Sequence, residues 1–197
     1  MISSATRHLV ASWLERPLCR RYTAIVLRSG AIHGSWPEGA PGGTAFWALG
    51  CTSDGDSEIL GAWMPSDTSA NAPTGILSDL QLRGVQSIRF LLGCDAAGIC
   101  NEPIAPFQEG VLVESISLLS LRPATRRAVA SAVDLVYGIH RRLDSAVARQ
   151  GAIANELERF ILVAEFLKRV DRQLNRPTIV SSRHLTRAAE VVSAAHG

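Results

Sequence analysis

Ile88-Arg-Phe-Leu-Leu-Gly-Cys-Asp95 decides how this chain is read. The stretch is apolar apart from Arg89 and ends in a carboxylate, Asp95, followed at once by the small residues Ala96, Ala97 and Gly98. Runs that are apolar on both faces are typical of a central strand in an α/β sheet, covered by helices on either side. In such sheets ligands and metals gather beyond the C-terminal ends of the strands. An acid there suggests metal-dependent phosphoryl chemistry, which needs at least a second carboxylate to hold two metals.

Upstream, Tyr22-Thr-Ala-Ile-Val-Leu27 is β-branched and apolar and reads as a strand. Thr44-Ala-Phe-Trp-Ala-Leu-Gly50 and Glu58-Ile-Leu-Gly-Ala-Trp-Met64 read as two more, with a turn at Asp54-Gly55. These three form an antiparallel meander. Residues 29–43 are rich in Gly and Pro and read as a loop, and a short helix over 6–15 ends at Arg16-Pro17. Residues 72–83 predict a helix carrying Ile76, Leu77, Leu80 and Leu82, with Gly84 as its stop. A crossover of this kind makes the 88–94 strand parallel to a neighbour. A fifth strand is expected over 110–116, after a loop with Pro103 and Pro106.

From Pro123 the period becomes helical. Val129, Val133, Val136, Ile139 (or His140), Leu143 and Val147 mark one apolar face, and Ile153, Leu157, Phe160, Ile161, Ala164, Leu167 and Leu174 another. Gly151 separates the two, Asn175-Arg-Pro177 ends the second helix, and Ser181-Ser182 can cap a third running to about residue 195. The expected fold class is α/β: a ribonuclease-H-like mixed sheet of three antiparallel strands, then parallel strands with crossover helices, followed by a C-terminal helical region. The division falls into a core over 1–120 and helices over 121–197. In that topology the first strand lies beside the 88–94 strand, so residues at their ends can sit side by side.

At 197 residues, 47% hydrophobic and 19% charged, the chain is long enough for one sizeable core with a helical appendage. No apolar run reaches the roughly 18 residues that span a bilayer, and the N-terminus lacks a signal-peptide pattern, so no membrane partner and a cytoplasmic location are expected. Cys19, Cys51, Cys94 and Cys100 have no C-x-x-C spacing and read as buried free thiols of a reducing compartment. The five histidines are scattered, Trp47 and Trp63 read as core, and Trp36 sits in the Gly/Pro-rich loop. The 38–43 loop lacks the Lys-Ser/Thr ending of a phosphate-binding loop.

The net charge of +2 is unevenly spread. Residues 1–117 hold seven Arg against eleven acids, −4, while residues 118–197 hold twelve Arg and one Lys against seven acids, +6. A basic helical half can follow a nucleic-acid backbone, and equally can be a solvated face. Arg126, Arg127, Arg141 and Arg142, paired along one predicted helix, are the candidates for phosphate contacts.

In order and spacing, several pieces match a known pattern: Trp13, Arg16-Pro17-Leu18, Tyr22, Ala48-Leu49-Gly50, Asp54-Gly55, Glu58-Ile-Leu-Gly-Ala-Trp63, Leu80, Arg83-Gly84-Val85 and Cys94-Asp95. A weaker echo follows in Ala128-Val129-Ala130 and Val136-Tyr137. Over roughly residues 10–140 the chain resembles the mutator-type transposases of bacterial insertion sequences. The resemblance implies a ribonuclease-H-like catalytic core with a helical insertion, and an Asp, Asp, Glu triad that binds two divalent metals to cut and rejoin DNA at element ends.

Carried over residue by residue, the resemblance puts Arg28 where the first catalytic Asp should stand and Asp95 at the second. The family's Cys-x-x-His pair falls on Ser115 and Leu118. Glu158, in Asn155-Glu-Leu-Glu158, has the spacing of the third acid but falls where insertion helices are expected. The resemblance also implies that the chain starts just before the core, without the family's N-terminal DNA-binding region, and ends before the third acid. One Asp beside one Arg offers roughly zero net charge, too little to hold two repelling cations. The expectation is therefore an Arg28–Asp95 salt bridge in a former active site, with no cofactor, Mg2+ or Mn2+ being needed only for residual activity. The first reading is a transposase-like protein related to DNA transposition, inactive as a remnant or a repurposed copy. The alternative is a non-enzymatic module whose basic helices bind DNA or RNA, or pair with a second copy through their Val/Leu faces. A third is a nuclease using Asp95 with Glu102 or Glu114.

Overall fold

A computed structural model describes residues 4–31, 44–64, 72–94, 111–112, 123–150 and 155–175. The elements are α1 (Ser4–Leu14), β1 (Arg21–Ala31), β2 (Thr44–Cys51), β3 (Ser57–Trp63), α2 (Ala72–Leu82), β4 (Ser87–Cys94), β5 (Val111–Leu112), α3 (Pro123–Arg149) and α4 (Glu156–Leu174). The strands form one sheet in the order β3-β2-β1-β4-β5. The β1–β2 and β2–β3 pairs are antiparallel, and β1–β4 and β4–β5 are parallel. This is the mixed α/β architecture expected from sequence, with β1 beside β4, and it is consistent with a ribonuclease-H-like sheet.

The sheet is covered on both faces, which explains the apolar strands. Ile25 and Leu27 of β1 pack with Ile76, Leu77 and Leu80 of α2, while Val26 shares a cluster with α1, α3 and α4. On α3, Val129, Ala132, Val136, Ile139, Leu143 and Val147 are buried, a spacing that keeps one stripe against the sheet. The Val/Leu faces considered for pairing with a second copy are thus packed within the chain itself.

Local signals account for several boundaries. Gly84, at φ 106, ends α2: its N–H bonds the Gln81 carbonyl and the Val85 N–H bonds the Leu80 carbonyl. That pair of bonds is a Schellman motif, which favours glycine at the left-handed position. Asn155 caps α4, its side chain accepting from the Glu158 N–H at 2.8 Å.

Other expectations needed correction. β1 does not stop at residue 27, because Arg28, Ser29, Gly30 and Ala31 continue the ladder against Trp47, Phe46, Ala45 and Thr44. Cross-strand pairing overrides the loop character of Ser29 and Gly30. Leu157 is 55% exposed, and α4 buries Arg159, Lys168 and Asp171 together with Ile161, Ala164 and Leu167. Packing among α1, α3 and β3 covers more of α4 than one apolar stripe. Cys19 is exposed, in the connection from α1 to β1, whereas Cys51 is a buried free thiol. Trp47 is core, but Trp63 is only partly buried and donates to Asp79 at 3.1 Å. The expected helix over 181–195, the 38–43 loop, Trp36, Asp95, Cys100, Glu102, Glu114, Ser115 and Leu118 lie outside the described residues.

Candidate functional site

Two regions matter: the C-terminal ends of β1 and β4, and the outer surface of α3. Arg28 lies near the end of β1, in register with Cys94, the residue immediately before Asp95, and on the other side with Trp47. Strand alternation turns Arg28 to the same face as Val26, the face that α3 covers. There its guanidinium lies over the Tyr137 ring, 5.2 Å from the centroid, and Arg28 is only 8% exposed. This is a cation–π contact between a buried guanidinium and a tyrosine that is itself 44% exposed. The neighbouring Trp47 is 1% exposed, and its indole N–H has no hydrogen-bond partner among the described residues.

Arg28 brings a buried positive charge near the C-terminal end of β1, one position in register before Asp95. Among the described residues no three His, Cys, Asp or Glu side chains come together as a metal site. Glu158 lies in the first turn of α4, its backbone N–H donating to the Asn155 cap. Thirteen residues, about 20 Å of helix, separate Glu158 from Asp171 near the other end of α4.

Five of the side chains that carried the resemblance gather elsewhere, with Asp171. Asp171 accepts from the Trp13 indole at 2.9 Å and the Ile59 backbone N–H at 2.8 Å, and Arg16 lies 3.2 Å from it. Arg16 also pairs with Glu58 at 3.2 Å, donates to the Ile59 carbonyl and lies over the Trp13 ring. Tyr22 donates a short hydrogen bond to Glu58 and accepts from the Cys19 N–H. Burial, reinforced by the bond to Glu58, raises the Tyr22 hydroxyl well above its ordinary pKa. Arg83 donates to the Arg16 carbonyl and pairs with Asp79, and burial lowers its pKa. Gly50 is required beside this cluster, because a Cβ there would stand 2.5 Å from the Tyr22 ring.

This network ties α1, α2 and α4 to the N-terminal end of β1 and to β3. It covers the edge strand β3, whose outward Ile59 N–H would otherwise be unpaired. Six residues of strand, about 20 Å, separate Tyr22 from Arg28. Sequence reasoning singled out Trp13, Arg16, Tyr22, Glu58 and Arg83 without their roles, and it missed Asp171. The only signal for Asp171 was an acid interrupting the apolar face of the second long helix.

The basic candidates lie along α3. Arg127, Arg141 and Arg142 are exposed, whereas Arg126 is half-buried. Arg127 and Arg141 are fourteen residues apart, about 21 Å of helix. Toward the C-terminal half of α3 a cleft of about 690 Å³ opens against α4, with Gly138, Arg141, Arg142, Arg149 and Phe166 in its wall. Arg142 donates to Gln173 at 3.4 Å and lies over the Phe166 ring. His140, on the flank of α3, lies 3.5 Å from Asp144.

No helix among the described residues is long and apolar enough to cross a membrane. A search of curated proteins found no match. The family model described as "Transposase, Mutator family" matches residues 1–174, farther in both directions than the resemblance over 10–140, and takes in α1, α3 and all of α4. By a match over most of its length, on a sheet with β1 beside β4, the chain belongs to the Mutator family of transposases.

Proposed function

We propose that this chain is a transposase-family protein that no longer performs metal-dependent strand cleavage and retains a nucleic-acid-associated role in the cytoplasm. The observation that carries this reading is Arg28: a buried cation near the end of β1, adjacent in register to Cys94 and stacked on Tyr137. A carboxylate in that position would attract a divalent cation, whereas a guanidinium repels one and favours pairing with a neighbouring acid. In this reading Asp95 is the charge partner of Arg28, and Glu158 serves the start of α4. The chain is either a decayed copy or one put to another use.

The test is a cleavage assay. Purified protein with Mg2+ or Mn2+ is expected to leave supercoiled plasmid and labelled duplex intact. Metal-dependent nicking that disappears in Asp95→Ala would overturn the reading. DNA is the partner favoured by family membership and by the arginines exposed on α3. Self-association through the C-terminal helices has less support, since their Val/Leu faces are buried on the sheet. Sedimentation at tens of micromolar is therefore expected to give a monomer.

A further inference from the structure

The cleft between α3 and α4 is a built feature that the altered strand end leaves unused. We propose that it seats an unpaired nucleic-acid strand, its phosphates held by Arg141, Arg142 and Arg149 and a base laid over Gly138 against the Phe166 ring. This rests on the nucleic-acid-associated role proposed above, and it adds a place and a form of ligand.

Charge and shape point the same way. Three arginines face one acid, Asp134, in the cleft wall. Arg141 and Arg149 are eight residues apart, about 12 Å along α3, so more than one phosphate can be met. The arginines are partly pre-positioned: Arg142 is held by Gln173 and the Phe166 ring, and the Nε of Arg149 donates to the Ser145 carbonyl at 3.0 Å. Arg141 is exposed, and its guanidinium has no partner among the described residues.

Gly138 lies in the cleft wall, and a Cβ built there would meet nothing within 4 Å. The cleft, about 690 Å³, is open along its length to solvent, as a groove for an extended strand must be. A cationic groove with an aromatic wall is the arrangement that suits bases free to stack. A duplex keeps its bases paired, so it would use the arginines alone and gain nothing from Phe166 or the open wall.

Fluorescence anisotropy of the full chain with a labelled oligothymidine strand, and separately with a duplex of equal length, tests this. The strand is expected to bind more tightly than the duplex, with affinity falling linearly in log salt. Gly138→Leu leaves every charge in place and fills the cleft, so it is expected to weaken strand binding at least about tenfold. Its melting temperature reports whether the fold is intact. If that variant fails to fold, the exposed pair Arg141→Ala with Arg149→Ala takes its place, with a similar loss expected. No strand binding at low salt, binding unchanged in the variants, or tighter binding of duplex would each overturn the proposal. Strand scission is read separately, so the loss of cleavage and the cleft can fail independently.

Discussion

Asp171 and Arg28 are both buried charges, yet their surroundings differ in kind. Asp171 has an indole N–H, a backbone N–H, the Asn175 amide and the Arg16 guanidinium around its two oxygens. Removing a partner from such a set leaves buried groups uncompensated, so Asp171→Ala is expected to destabilise by about 3–5 kcal/mol, read by urea unfolding. A loss below about 1 kcal/mol would mean that water replaces the carboxylate. Tyr22 gives a pH-dependent prediction. Its hydroxyl is held above the ordinary value of about 10, so in alkali the unfolded chain releases this proton first. The stability that follows is fully present below about pH 10 and is lost as pH rises beyond it. Tyr22→Phe is expected to be less stable at pH 7 but to show a shallower decline above pH 10, measured by denaturant midpoints across that range. The place of Arg28 beside the end of β4 was legible because strand pattern and topology are local, whereas its stacking on Tyr137, far along the chain, was not. Nor was the role of Asp171, since its partner Trp13 is 158 residues away in the chain.

At the level of elements, the strand–helix alternation was legible because period and turn residues are local. Gly84 marked the end of α2, and Asp54-Gly55 separated β2 from β3. The Asn155–Glu158 spacing shows the limit of such reading, because the same four letters fit a capped helix start and an acid-bearing catalytic helix. Asn155→Ala is expected to cost about 1 kcal/mol through loss of the cap, measured by thermal unfolding. Gly138→Ala, an open position inside α3, is expected to stabilise by about 0.5–1 kcal/mol by reducing the freedom of the unfolded chain. The orientation of α4 was missed for a physical reason. Periodicity finds one apolar stripe, whereas contacts with α1, α3 and β3 bury several sides, charged residues included.

For the molecule as a whole, the sheet and the last two helices share one core, in which Val26, Trp47 and Ile59 meet Val136, Leu143, Ile161 and Leu167. A fragment ending at residue 122 would leave that face of the sheet open to water. It is expected to lack the dispersed amide spectrum of a folded domain and to associate through the uncovered face. A monomeric, well-dispersed fragment would show that the sheet stands without α3 and α4. The polar network near Tyr22 and the buried cation at Arg28 lie about 20 Å apart along β1, beyond the range over which substitutions usually couple. The side chains that tie the helices to the sheet and those at the strand ends therefore occupy separate parts of the molecule. A substitution at one end of the sheet can alter its chemistry while the ties of Trp13, Arg16 and Asp171 at the other end stay in place. The framework of this transposase family thus works as a socket whose fittings at the strand ends can be changed without loosening the frame.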